Sequence, residues 1–394
     1  MLAFAVCLLL AVLVSGLAHR TMLSTAVLFL FAGFIVGDTL LGFVSLFPDD
    51  PVVTTFAELA LFSVLFTDGM RVGFRDLVSA WRLPGRALLL GLPLTLLGNA
   101  LLAYYVAGLP WAESFLIGAV LSPTDPVFAA AIVGREEVPS RLRHLLNVES
   151  GINDGLALPF VIAFLAIASE DPFDAALVSG EVALGIGIGI VIPFAAIALE
   201  RSRFFGTTTL YQPLNAFSIG LVVLGLSVIT HANEFLAAFA AGVTVATMSP
   251  AVRSAFHQFG ELITELLKLA ALLVFGALIS IEFLREIEPS GYLFAFLVLI
   301  VVRPAALGIA LMRSPLTWRE WVAAAWFGPK GFASVVYALL ILEAGIPLGD
   351  EIFHLVAIVI IGSIIAHSST DVLVARWFHE PEEESAPAGS NAMD

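Results

Sequence analysis

Gly118-Ala119-Val120-Leu121-Ser122-Pro123-Thr124-Asp125-Pro126 decides the fold. An apolar run carries one acid, flanked by prolines three residues apart. Each proline removes an amide donor and clashes with the preceding turn, so a helix through this stretch is predicted to break beside Asp125. A break frees carbonyls and exposes a half-helix N-terminus, and both can hold ions. Trp326-Phe327-Gly328-Pro329-Lys330-Gly331 predicts a second break, with a cation inside it.

The surroundings of both breaks are apolar. The chain has 394 residues, 59% hydrophobic and 13% charged. A soluble domain carries about 25% charged residues. Apolar stretches of roughly 20 residues, the length of a bilayer crossing, recur from end to end. Thirteen spans are predicted: 2–18, 22–41, 54–68, 87–107, 112–133, 143–168, 175–199, 212–230, 234–249, 262–281, 290–312, 319–343 and 351–375. The fold class is an all-α polytopic membrane protein. The first span, with no basic leader before it and no clear cleavage site after it, reads as a retained helix. Residues 379–394, rich in Glu, Ser, Pro, Ala and Gly, read as a disordered tail.

Loop charges test the count. One alternate set of loops holds Arg20, Arg71, Arg75, Arg82, Arg86, Arg135, Arg141, Arg143, Arg201, Arg203, Arg253, Arg313, Arg319 and Arg376, 14 of the 18 basic residues. The other holds Arg285 and acids such as Asp49, Asp50, Glu170, Asp171 and Asp350. By the positive-inside rule the N-terminus lies outside and the C-terminus in the cytoplasm. The formal charge of −15 argues against nucleic acid. Cys7, the one cysteine, excludes an internal disulfide.

The remaining basic residues, Lys268, Arg303 and Lys330, fall inside spans. Lys268, a few residues into its span, is expected to snorkel to the inner surface. Arg303 and Lys330 lie too deep for that. At 1.5 Å per residue, Asp125 lies roughly 20 Å into span 5 and Asp154 about 16 Å into span 6. A charge at a helix centre costs about 2.5–3.5 kcal/mol, so these groups must pair, face water or titrate. Spans 5 and 12 are seven apart and therefore run in opposite directions. Two interrupted helices in inverted, corresponding positions point to a transport site. In span 6, Glu149 pairs by i,i+4 spacing with Asn153, and Ser150 with Asp154. These oxygens suit a hard cation.

Thr124-Asp125-Pro126 followed by Glu149-Ser150-x-x-Asn153-Asp154 resembles the sodium/proton antiporters of the NhaP/NHE type, the monovalent cation:proton antiporter-1 family. The resemblance covers nearly the whole chain. It implies an antiporter fold with inverted repeats. A mobile core, about 87–168 and 290–375, moves against a dimer-forming scaffold, about 2–68 and 175–281, all within an antiporter domain of residues 1–378. It implies Asp154 as the cation- and proton-binding aspartate, with Asp125, Ser150 and the Thr124 carbonyl as companion ligands. A helix 3 carboxylate maps to Asp68, with Glu58 as the alternative. Glu149 and Arg303 resemble the family's buried ion pair, which Asn153 would orient, unless it orients the neighbouring aspartate. An Asn-Asp pair implies electroneutral exchange. Lys330 stands where many relatives have arginine, keeping a charge to oppose the half-helix dipoles but losing the planar fork.

The function expected is exchange of a monovalent cation, foremost Na+, for H+ across the cell (inner) membrane, with K+/H+ exchange and a cation channel as alternatives. Acids on different helices of one chain favour alternating access over a channel's filter or charged ring. An intramembrane enzyme would need a deep histidine beside Ser150. No cofactor is expected, and the ions are cargo. The partners expected are the lipid bilayer and a second copy, with no nucleotide. Gly185-x-Gly187-x-Gly189 follows no strand and reads as a close-packing face. The histidines, including His144, His231, His257 and His367, read as loop or interfacial residues.

Overall fold

The computed structural model describes residues 2–18, 25–37, 40–43, 46, 50–71, 83–125, 137–169, 175–202, 204–208 and 210–378. The predicted tail at 379–394 lies outside them, as does span 5 beyond Asp125. The regular structure among the described residues is helical. Helices α1 (Leu2–Ala18), α2 (Thr25–Val36) and α3 (Pro51–Arg71) lead to α4 (Leu83–Ala107) and α5 (Trp111–Val120). Then come α6 (Ser140–Ala168), α7 (Ala175–Glu200), α8 (Gln212–Thr230), α9 (Glu234–Met248) and α10 (Pro250–Leu278). After a short surface helix, Ile281–Glu286, the chain continues through α11 (Pro289–Ala310), α12a (Trp318–Trp326), α12b (Phe332–Glu343) and α13 (Gly349–Ala375). Each predicted span thus meets a helix, and spans 5 and 12 break where their prolines stand. Seven of these helices are individually long and apolar enough to cross a bilayer.

One boundary moves far. Span 10 was expected at 262–281, but α10 starts at Pro250, capped by the Ser249 hydroxyl, which accepts from the Val252 amide. Its first turns carry Arg253, His257 and Glu261, too polar for a hydropathy window yet spaced for a helix. His257 is therefore helical, not a loop residue.

Two groups of helices emerge from the packing. α2, α3 and α7–α10 lie mostly on one another, and α4–α6 with α11–α13 do the same; the groups meet where α6 and α12b pack on α3. Of the glycine run in α7, Gly185 and Gly189 press on the backbone of Asn233 and Ala237, while Gly187 has open space around it. The close-packing face is therefore an i,i+4 pair, as helical geometry requires.

Two wide π-type turns interrupt otherwise regular helices ahead of prolines: Ala87–Gly91 before Pro93 and Val298–Val302 before Pro304. A proline cannot donate to the carbonyl one turn back and collides with it, and a wide turn relieves both conflicts. Arg303 sits directly after the second. At the C-terminal end of α4, Trp111 stacks on Tyr104 with 4.0 Å between ring centroids, the kind of aromatic pair found at membrane interfaces.

Candidate cation-binding site

The two breaks meet. Leu121–Asp125 leaves α5 through a turn into non-helical chain, Phe327–Gly331 separates α12a from α12b, and the strips cross. The Asp125 amide donates to the Pro329 carbonyl at 2.9 Å, and the Ser334 hydroxyl to the Val120 carbonyl at 2.7 Å. The Phe332 amide donates to Asp125 Oδ2 at 3.2 Å. Asp125 therefore places a carboxylate on the positive N-terminus of α12b. The approach is close enough that a β-carbon at Gly331 would overlap the Asp125 side chain. Asn99 of α4 takes another freed carbonyl, donating to Leu121 O at 3.0 Å.

α6 passes beside this crossing with Glu149, Ser150, Asn153 and Asp154 all buried. Asn153 Nδ2 donates to Thr124 Oγ1 at 2.7 Å, and the Thr124 and Ser150 hydroxyls lie 3.4 Å apart. Asn153 thus orients Thr124, rather than the ion pair or the neighbouring aspartate. Tyr337 of α12b donates to the Asp154 backbone carbonyl at 2.9 Å. The Asp154 carboxylate itself, on a residue 6% exposed, receives no hydrogen bond or ion pair among the described residues.

Glu149 contrasts with it. Arg303 grips it in a fork, Nη1 to Oε1 at 2.8 Å and Nη2 to Oε2 at 3.1 Å. The same guanidinium donates to the carbonyls of Phe327 at 3.2 Å and Ala324 at 3.4 Å. A β-carbon at Gly328 would overlap it. Arg303, not Lys330, therefore closes the negative C-terminal end of α12a. Lys330 is 2% exposed. Its amide donates to the Ser363 hydroxyl at 2.7 Å, its ammonium has no hydrogen-bond partner among the described residues, and Arg303 and Glu149 are its charged neighbours.

Asp68, near the C-terminal end of α3, lies within electrostatic reach of Asp125 and Asp154 and pairs with Arg71 at 3.2 Å. Glu58 is half-buried, roughly 15 Å further along α3, and has Glu234 and Glu343 as charged neighbours. Of the two helix 3 acids, only Asp68 stands with the aspartates.

Two residues depart from expectation. Lys268 does not snorkel: eighteen residues into α10, it directs Nζ to within 3.8 Å of Asp125 Oδ2. His367 is not interfacial: it is 2% exposed, stacks on Trp326, and its Nε2 meets the Trp326 carbonyl at 2.9 Å. Spacing held a clue to the first, since α10's polar residues continue the helix backward and so deepen Lys268. Nothing local marked the second. No cluster of His, Cys, Asp or Glu among the described residues has the form of a resident metal site.

The comparisons agree with this geometry. The family model described as sodium/hydrogen exchanger, transmembrane, matches residues 7–376. The K(+)/H(+) antiporter NhaP of Alkalimonas amylolytica is 23% identical over 100% of this chain and 69% of its own length. A K(+)/H(+) antiporter of Shewanella baltica is 24% identical over 93% of this chain and 64% of its own. The Na(+)/H(+) antiporter of Schizosaccharomyces pombe is 27% identical over 67% and 64%. The chain thus spans about two-thirds of the length of these relatives. In fold it is similar to the sodium proton antiporter MjNhaP1 of Methanocaldococcus jannaschii, with a TM-score of 0.75 and 19% identity over 95% of this chain and 96% of that one. A match that runs through both breaks and every buried acid described above places the chain in the sodium/hydrogen exchanger transmembrane family, whose members are secondary cation/proton antiporters and not enzymes.

Proposed function

We propose that the chain exchanges Na+ for H+, one for one, with Asp154 as the group that both occupants share. The observation that carries this is the contrast in compensation. Glu149 has Arg303, Asp68 has Arg71, Asp125 has Lys268 and a helix N-terminus, and Asp154 has no such partner among the described residues. A bare carboxylate in a low-dielectric interior must be neutralised. A proton does so directly. A cation does so with help from Asp125, the Ser150 hydroxyl, the Thr124 hydroxyl and carbonyl, and Asp68, all hard oxygen ligands. The two occupants exclude each other, and that exclusion is the coupling.

In this reading α4–α6 and α11–α13 form the mobile core, carrying either occupant past a scaffold of α1–α3 and α7–α10 by alternating access. The scaffold forms the interface of a homodimer. The loop arginines support a cell (inner) membrane orientation with the N-terminus outside and the C-terminus cytoplasmic. No cofactor takes part. K+ is the second reading for the cargo, favoured by the K(+)/H(+) names of two relatives.

The test is proton flux in proteoliposomes with Na+, Li+ and K+ in turn, with and without an imposed voltage. Na+-driven flux insensitive to voltage is expected. Flux driven by K+ alone would change the cargo, and a marked voltage dependence would refute the one-for-one stoichiometry.

A further inference from the structure

α10 carries a polar stripe, His257, Glu261, Glu265 and Lys268, spaced four, four and three. This spacing keeps the four side chains on one helix face. α3 engages the N-terminal half of α10 along and beside this stripe: Arg71 reaches Glu261 at 2.9 Å, and the Thr264 hydroxyl lies 2.9 Å from those of Ser63 and Thr67. The fourth member keeps Asp68 of α3 as a charged neighbour and reaches across to the other group of helices, where Asp125 and Asp154 are its charged neighbours. Lys268 Nζ stands 3.8 Å from Asp125 Oδ2, with its side chain 13% exposed.

The geometry of this contact differs from that of the other bridging pair. Arg303 holds Glu149 by two hydrogen bonds in a fork, 2.8 and 3.1 Å. Lys268 approaches a single oxygen beyond hydrogen-bond distance. Its ammonium is a compact, strongly hydrated monovalent charge on a flexible stem. Attraction without a fixed hydrogen bond is the form a replaceable cation takes.

We propose that Lys268 is a tethered counter-cation: it neutralises Asp125 when no cargo cation is bound, and the cargo must displace it. Lys268 then sets cation affinity from the scaffold side. It also makes each binding event loosen a contact between the two groups of helices. This inference rests on the exchange reading above.

The test uses the purified full chain and two readouts: thermal stability against NaCl concentration at fixed ionic strength and pH, and the apparent KM for Na+ in proteoliposomes. Ligand binding raises stability by mass action, so the stability titration reports affinity without transport. Lys268→Met should lower both the stabilising midpoint and the KM by about tenfold or more, the scale of losing one close competing charge. Lys268→Arg, which keeps the charge, should stay within about twofold of the native chain, a shift of about 0.4 kcal/mol. Equal midpoints for Lys268→Met and the native chain overturn the proposal. So does a Lys268→Met protein that unfolds and that Na+ cannot restore, since the lysine is then structural. A native chain that carries no flux and responds to no alkali cation removes the exchange reading instead.

Discussion

Glu149 and Asp154 sit five residues apart on α6, at similar burial, and the fold treats them oppositely. Glu149 receives a forked guanidinium that also closes the end of α12a. Asp154 receives no side-chain donor among the described residues and has Asp68, Asp125 and Lys268 as charged neighbours. Buried charge is therefore not one phenomenon in this molecule. One carboxylate is fixed by a partner that has other duties, and the other stands without one among the described residues, which on the proposed reading leaves it to a mobile ion.

The largest effect should come from the uncompensated side. Asp154→Asn should lower exchange by about a hundredfold or more, equivalent to nearly 3 kcal/mol, while the protein melts as before. Proton flux in vesicles beside a thermal melt in detergent checks this, and retained Na+-driven flux would break the comparison. Glu149→Gln should do the reverse, costing about 3–5 kcal/mol of stability because it leaves the Arg303 charge buried and unpaired. A Glu149→Gln protein that melts normally yet is inactive would move Glu149 into the exchange machinery. Arg303→Lys keeps the charge but loses the fork and the contacts to Ala324 and Phe327; a loss of about 1–3 kcal/mol, read from the melt, is expected. Asn153→Ala removes the donor to Thr124 and should cost about 1 kcal/mol. It should appear as a severalfold rise in KM with the maximal rate little changed. A fall in maximal rate at constant KM would mean that Asn153 acts on movement rather than on the site.

Much of this arrangement was legible in the chain. Hydropathy found a helix at each predicted span among the described residues, because lipid demands a long apolar stretch for each crossing, though it misplaced the start of α10. The prolines at 123 and 329 located both breaks, because the missing amide acts locally. Depth alone singled out Asp125, Asp154, Glu149 and Arg303. What remained hidden was contact between distant elements. Spacing along α6 put Asn153 on the face of Glu149 but could not say that Thr124 would stand opposite. It could not give the α12a carbonyls to Arg303 in place of Lys330. Lys268 was misplaced for a different reason: the polar first turns of α10 fell below the hydropathy threshold, so the helix was begun twelve residues late and the lysine was read as shallow.

The wide turn Val298–Val302 ties the Glu149–Arg303 clamp to arithmetic as well as to charge. Such a turn holds one residue more than an α-turn and advances side chains by roughly 80° per residue, against about 100° in an α-helix. Five residues wound wide turn through about the same angle as four wound regularly, so the turn absorbs one extra residue and leaves the two halves of α11 in phase. Winding the same five residues as a regular helix would swing Arg303 by roughly 90° around α11 relative to its first half. No polar atom would be touched, yet the guanidinium would leave the direction in which Glu149 stands. The proline behind the wide turn thus aims the clamp without making any part of it.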